Sequence, residues 1–136
     1  MSHQDSITVK TEEREALYDI TDQVAGIVEE SDVKQGVCNV FVTGATAGVM
    51  IQENWDDSVQ QDVLSLLAKL APRGVWLHDR QDGNGDSHLK SGLVGPSETI
   101  PVADGKLVLG TWQSVFLCEF DGPRSERTII VTVTGQ

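Results

Sequence analysis

Cysteine is scarce. Cys38 and Cys118 stand eighty positions apart in the 136 residues, each inside an apolar, strand-forming stretch and neither in a CxxC pair. That pattern reads as two reduced core thiols in preference to a disulfide or a metal pair. Basic residues are also few, 10 against 21 acidic ones, for a formal charge of -11 and a pI near 4.4. A phosphate backbone or an anionic lipid surface would repel such a chain, so neither nucleic acid nor membrane is an expected partner. A solvated acidic surface mainly confers solubility, and with only five lysines the sharper alternative is adaptation to high salt. Long apolar runs are missing: none approaches the roughly 20 residues needed to cross a bilayer. Met1 to Ser6 has no basic segment leading into an apolar one. The sequence therefore reads as soluble and cytoplasmic. P-loop, GxGxxG, HExxH and GxSxG patterns are absent too, which argues against nucleotide hydrolysis, dinucleotide binding, zinc-protease and α/β-hydrolase chemistry. Without a linker, repeat or low-complexity segment, residues 1-136 read as one domain.

What is present alternates between strand and helix. Ile7 to Lys10 and Glu15 to Tyr18 suggest a first hairpin around Thr11-Glu12-Glu13-Arg14. Thr21 caps a short helix in which Val24, Ile27 and Val28 recur at helical spacing up to Ser31. Val37 to Thr43 and Val49 to Ile51 read as strands around the small-residue loop Gly44-Ala45-Thr46-Ala47-Gly48. Val59, Val63, Leu66, Leu67 and Leu70 form the stripe of a second helix with one buried face. Asp56, Asp57 and a Ser58 to Gln61 capping spacing open that helix, and Pro72 stops it. A polar loop follows, then strands over Thr99 to Val102, Leu107 to Phe120 and Thr128 to Thr134, with turns at Asp104-Gly105 and Asp121-Gly122-Pro123. The fold class is α+β: a largely antiparallel or mixed sheet with two principal helices packed on it.

Two stretches could hold chemistry. If Leu107 to Phe120 is one strand, alternation puts Trp112, Phe116, Cys118 and Phe120 on one face and Thr111, Gln113 and Glu119 on the other. A polar group on a mostly apolar face suits a shallow site or a subunit interface, and equally an ordinary solvent face. A bulge at Gly110 would reverse half of this assignment. Trp112 reads as a packing anchor, and Cys118 as buried and inert. The loop His78 to His88 gathers His78 and His88 with Asp79, Asp82, Asn84 and Asp86, a candidate site for Zn or Mg, with a plain polar turn as the alternative. Asp82-x-Asn84-x-Asp86 begins like an EF-hand, but Ser87 stands at the required glycine and Leu93 at the bidentate glutamate, which excludes a calcium sensor.

The second half carries His78-Asp79, Asn84 to Ser91, Gly95-Pro96-Ser97, Gly110-Thr111-Trp112-Gln113 and Glu119 to Arg124. These blocks, with Asp19-Ile20-Thr21, Thr46-Ala47 and Glu53-Asn54 upstream, resemble the YjbQ-like family, called secondary thiamine-phosphate synthases. The resemblance covers nearly the full chain. It implies an α+β subunit in a homotrimer, with histidine-built sites near the subunit boundary. It also implies weak thiamine-phosphate synthase activity, coupling hydroxymethylpyrimidine diphosphate to thiazole phosphate with release of pyrophosphate.

Carried over, His78 and His88 become metal or phosphate contacts, with Asp86 as a substitute metal ligand. Glu53, Asn54, Lys90, Gln113 and Glu119 are the catalytic candidates, Gln113 and Glu119 being expected to line the same region, with Arg80 and Arg124 as nearby cations. The chain departs from the pattern at Gly44-Ala45-Thr46, where many members have His-Thr-Thr or His-Thr-Ser. Two imidazoles would then need Asp82, Asp86, Glu53 or water to complete a zinc site. The competing expectation is a non-catalytic trimer that binds a divalent metal or a small phosphorylated metabolite.

Overall fold

A computed structural model describes all of residues 1-136. The elements in chain order are β1 (Ser2–Thr11), β2 (Ala16–Asp19), α1 (Thr21–Ser31), β3 (Gln35–Val42), β4 (Ala47–Glu53), α2 (Ser58–Leu70), a 3-10 turn (Leu77–Arg80), α3 (Gly85–Val94), β5 (Ser97–Ala103), β6 (Lys106–Leu107), β7 (Gln113–Glu119) and β8 (Arg124–Gly135). Their strands form two sheets, one ordered β1-β8-β3-β5-β6 and the other β2-β7-β4. Every pairing is antiparallel.

Alternation decides where the core lies. Cys38, Val40 and Val42 of β3 stand opposite Val133, Val131 and Ile129 of β8, and Ile100 of β5 stands beside Cys38. All of these are buried on the inward face of the first sheet. They meet Ala47, Val49, Val115 and Leu117 from the second sheet and Val24, Ile27 and Val28 from α1 in one cluster. The opposite face of the second sheet presents Cys118, with Phe120 just beyond β7, to Leu67 of α2, while Val94 of α3 packs at the margin. The result is two sheets packed around this cluster, with α1 laying its one buried face against it and α2 and α3 on the other face of the second sheet. Both cysteines are free and fully buried, as expected, and burial pushes their thiols up to about 11 for Cys38 and about 12 for Cys118.

Several sequence expectations need correction. The first hairpin does not form, because β1 pairs with β8 and β2 with β7. The weak turn chemistry of Thr11 to Arg14 lost to long strand partners that bury Ile7. There are two sheets rather than one, and three α-helices rather than two. Leu107 to Phe120 is not one strand: β6 ends at Leu107, and a turn closed by Gln113 N–H to Gly110 O (3.1 Å) precedes β7. That break leaves Trp112 57% exposed, edge-on to Trp55 with ring centroids 6.3 Å apart, rather than anchored beside Phe116. In α2 only Leu67 is buried, with Val63 half-buried, while Leu66 and Leu70 of the expected stripe face outward.

Candidate functional site

Where the chain crosses from the first sheet to the second, the interior turns polar. On β8, Arg127 shares the inward parity of Ile129, Val131 and Val133, and on β7, Glu119 shares that of Val115 and Leu117. The two charges therefore meet between the sheets. Arg127 Nε donates to Glu119 Oε1 at 2.9 Å, and Nη2 donates to Glu119 Oε2 at 2.5 Å and to Thr46 Oγ1 at 2.8 Å. Thr11 Oγ1 (2.7 Å) and the backbone N–H of Asp121 (3.0 Å) also donate to the Glu119 carboxylate. Burial works to raise the Glu119 pKa, but these donors and the guanidinium charge outweigh it and hold the carboxyl below its usual range. Nη1 of Arg127 donates to nothing in the chain and lies over Gly44, where a Cβ would come within 2.8 Å of it.

A second buried charge cluster lies at the start of α3. Asp86 is fully buried, accepting from Arg14 Nη2 at 3.0 Å, from Arg14 Nη1 at 3.3 Å and from Lys90 Nζ at 2.9 Å. Lys90 also donates to Glu15. Desolvation would raise the Asp86 pKa, yet the two cationic donors pull it below the ordinary carboxylate value. Ser87 Oγ donates to Phe120 O at 2.6 Å and Ser91 Oγ to Ala47 O at 2.6 Å, which ties α3 onto the second sheet. Asn84 Nδ2 donates to Asp121 Oδ2 at 2.8 Å, and Arg124 Nη2 reaches that same oxygen at 2.9 Å. Asp79 closes the 3-10 turn, accepting from the N–H groups of Trp76 (2.9 Å) and Gly85 (2.8 Å), and these bonds lower its pKa.

The candidate residues fall in separate places. His78 and His88 do come together, with ring centroids 4.7 Å apart and edge to face, and His78 Nε2 lies 3.5 Å from Asp82 Oδ2. Asp86 is turned away from them toward Arg14 and Lys90, so its oxygens and the Lys90 ammonium are already engaged. Glu53 and Gln113 are register partners at the far end of the second sheet. Asn54 sits beside them, donating to Asp19 Oδ2 at 2.6 Å. Glu119 pairs with Ala47 six positions along β7 from Gln113, roughly 20 Å away. Within one subunit Gln113 and Glu119 do not line the same region.

Arg14, Thr11, Thr46 and Arg127 were not singled out from the sequence. For Arg127 a signal was there: it is a charge in phase with three apolar inward positions. For Arg14 there was none, because its partner Asp86 is distant in the chain.

A family profile described as "UPF0047 protein YjbQ-like" matches residues 5–136. A UPF0047 protein of Methanocaldococcus jannaschii is 46% identical over 127 residues, covering 93% of this chain and 91% of that protein. The crystal structure of a YbjQ-like protein of unknown function from Sulfolobus solfataricus superposes with a TM-score of 0.96 at 41% identity, covering 100% of this chain and 99% of the other. A hypothetical protein from Aeropyrum pernix gives a TM-score of 0.93 at 36% identity, covering 98% and 99%.

Proposed function

The chain belongs to the YjbQ-like UPF0047 family, and on that premise we propose that it binds a small phosphorylated metabolite beside Gly44, as a subunit of a homotrimer, with thiamine-phosphate coupling as the reaction to assay. The observation that carries this reading is Arg127. Its Nε and Nη2 are pinned by Glu119 and Thr46, so the planar fork is held still, while Nη1 is left without an acceptor over a residue that has no side chain. A pre-oriented guanidinium N–H is a good donor to a phosphoryl oxygen, and little ordering entropy is lost on binding. The gap at Gly44 provides the approach. Because Glu119 offsets the Arg127 charge, the contact is mainly a directed hydrogen bond.

The coupling reaction needs donors and cations around departing pyrophosphate. In this acidic chain a divalent ion would add that charge, and the His78 and His88 imidazoles suit one of the Zn type, with Mg²⁺ held instead by the phosphoryl oxygens themselves. The 4.7 Å ring approach with Asp82 alongside supports this.

Calorimetry with pyrophosphate and with thiazole phosphate tests the reading. The wild type is expected to bind, and Gly44→Val to bind at least tenfold more weakly because its Cβ displaces Nη1. Circular dichroism checks that the variant folds. In a pyrophosphate-release assay with Mg²⁺, His88→Ala is expected to lower turnover. No binding of either compound by the wild type overturns the proposal, and binding without turnover removes only the synthase reaction.

A further inference from the structure

On β1 the register sets His3 opposite Val133 and Asp5 opposite Val131, so both side chains stand on the inward face of the first sheet, in line with buried Ile7. These are polar groups where the strand's own pattern calls for apolar ones. Glu30, in the last turn of α1, converges on them: one ligand atom from each of His3, Asp5 and Glu30 lies within 4.8 Å of the other two. We propose that His3, Asp5 and Glu30 bind one divalent transition-metal ion of the Zn²⁺, Co²⁺ or Ni²⁺ type, clasping the edge strand β1 to the C-terminal turn of α1.

Three further observations point to a cation there. Nε2 of His3 is buried and has no hydrogen-bond partner, a state that costs free energy until an ion or a donor fills it. Neither Asp5 nor Glu30 takes part in any ion pair of the chain. The last turn of α1 carries Glu29 and Glu30 with no basic residue, at the negative end of the helix dipole, where a positive charge is favoured.

The donor chemistry narrows the ion. One imidazole nitrogen with two carboxylate oxygens suits borderline transition ions, with water completing the coordination, whereas Ca²⁺ and Mg²⁺ favour all-oxygen sets. Asp5 Oδ1 accepts from the Ser6 N–H at 2.8 Å, which helps to orient the carboxylate. Two of the ligands come from a strand hydrogen-bonded along its length to β8, and the third comes from a helix. Binding would therefore join two elements that otherwise meet only by packing. The site is separate from the region of Gly44 and from the His78 and His88 pair, and it does not depend on the function proposed above.

The test uses the full chain carrying His78→Ala and His88→Ala, so that those imidazoles cannot take the metal. Titration with Zn²⁺ or Co²⁺, followed by calorimetry and by thermal unfolding, is expected to show one ion per chain and a midpoint that rises with metal. His3→Gln and Glu30→Gln added to this background should each weaken binding at least tenfold and remove the rise. Glu30 is exposed, so its variant stays folded and readable even if His3→Gln disturbs the strand. Absence of binding in the background protein overturns the proposal, as does affinity unchanged in both variants. Inward polar residues on this edge strand would then serve to discourage pairing with other chains.

Discussion

Glu119 shows at the residue scale how a charge survives with no exposure: it accepts from Arg127, Thr11 and the Asp121 backbone at once. Removing one partner of such a pair leaves the other charge stranded. Glu119→Gln should cost about 3–5 kcal/mol, and the double change Glu119→Leu with Arg127→Met less than that. Urea unfolding measures both, and a double variant worse than the single one would refute the argument. The pH dependence has a definite sign. The folded carboxyls of Glu119 and Asp86 both lie below their usual values, so the unfolded chain takes up protons first as pH falls. Their stabilisation is fully present above the unfolded values, about 4.3 for Glu and 3.9 for Asp, and is lost as pH falls through the lower folded ones. Wild-type stability should therefore drop below about pH 4, with a shallower drop in Glu119→Gln. Asp86 and Lys90 stand at the i,i+4 spacing of a helix, but Arg14 with Asp86 and Thr11 with Glu119 are far apart in the chain, so no local spacing could disclose those contacts.

At the element scale, α3 is instructive because its sequence looks like a loop. Its buried positions are Gly85, Asp86, Ser87, Lys90 and Ser91, a face with no apolar stripe for periodicity to detect. Ion pairs and hydrogen bonds to the backbone oxygens of Ala47 and Phe120 hold it instead of hydrophobic burial. The closeness this requires is visible at Gly48 in β4, where a Cβ would stand 2.9 Å from Gly95 O and 2.9 Å from Val94 Cγ1. Gly48→Ala should push α3 off the sheet and cost about 1–3 kcal/mol. Gly26 in α1 has nothing within 4 Å of such a Cβ. Gly26→Ala should therefore stabilise by about 0.5–1 kcal/mol through helix propensity alone. Denaturant midpoints that move in the same direction for the two variants would contradict this contrast. Helix α2 was legible by its period, yet its apolar stripe turns only one edge inward, so Leu66 and Leu70 remain outside.

On the scale of the whole molecule, the charge of -11 is set against few basic residues, and five of those, Lys10, Arg14, Lys90, Arg124 and Arg127, are already tied up in ion pairs. Self-repulsion between the remaining acids destabilises the compact state, and salt screens it over about 10 Å at 0.1 M. The thermal midpoint should therefore rise from low to molar NaCl. A flat or falling midpoint would show that surface repulsion is minor and would remove the idea of salt adaptation. No helix of the chain is long and apolar enough to cross a membrane.

Composition and local pattern by themselves determined the α+β class, helices α1 and α2, most strand positions and the burial of both cysteines, because each depends on residues near one another in the chain. The family blocks also brought His78 and His88 forward, and the fold does set their rings side by side. Only the tertiary structure decided the rest. Which strands pair, that they form two sheets, and that Glu53 and Gln113 stand at the opposite end of the second sheet from Glu119 all follow from long-range packing. It likewise decided that Arg14 reaches Asp86 across the fold, while Arg127 keeps one free N–H over Gly44. Alternation tells which face a side chain takes, but only the opposing sheet determines what it meets there.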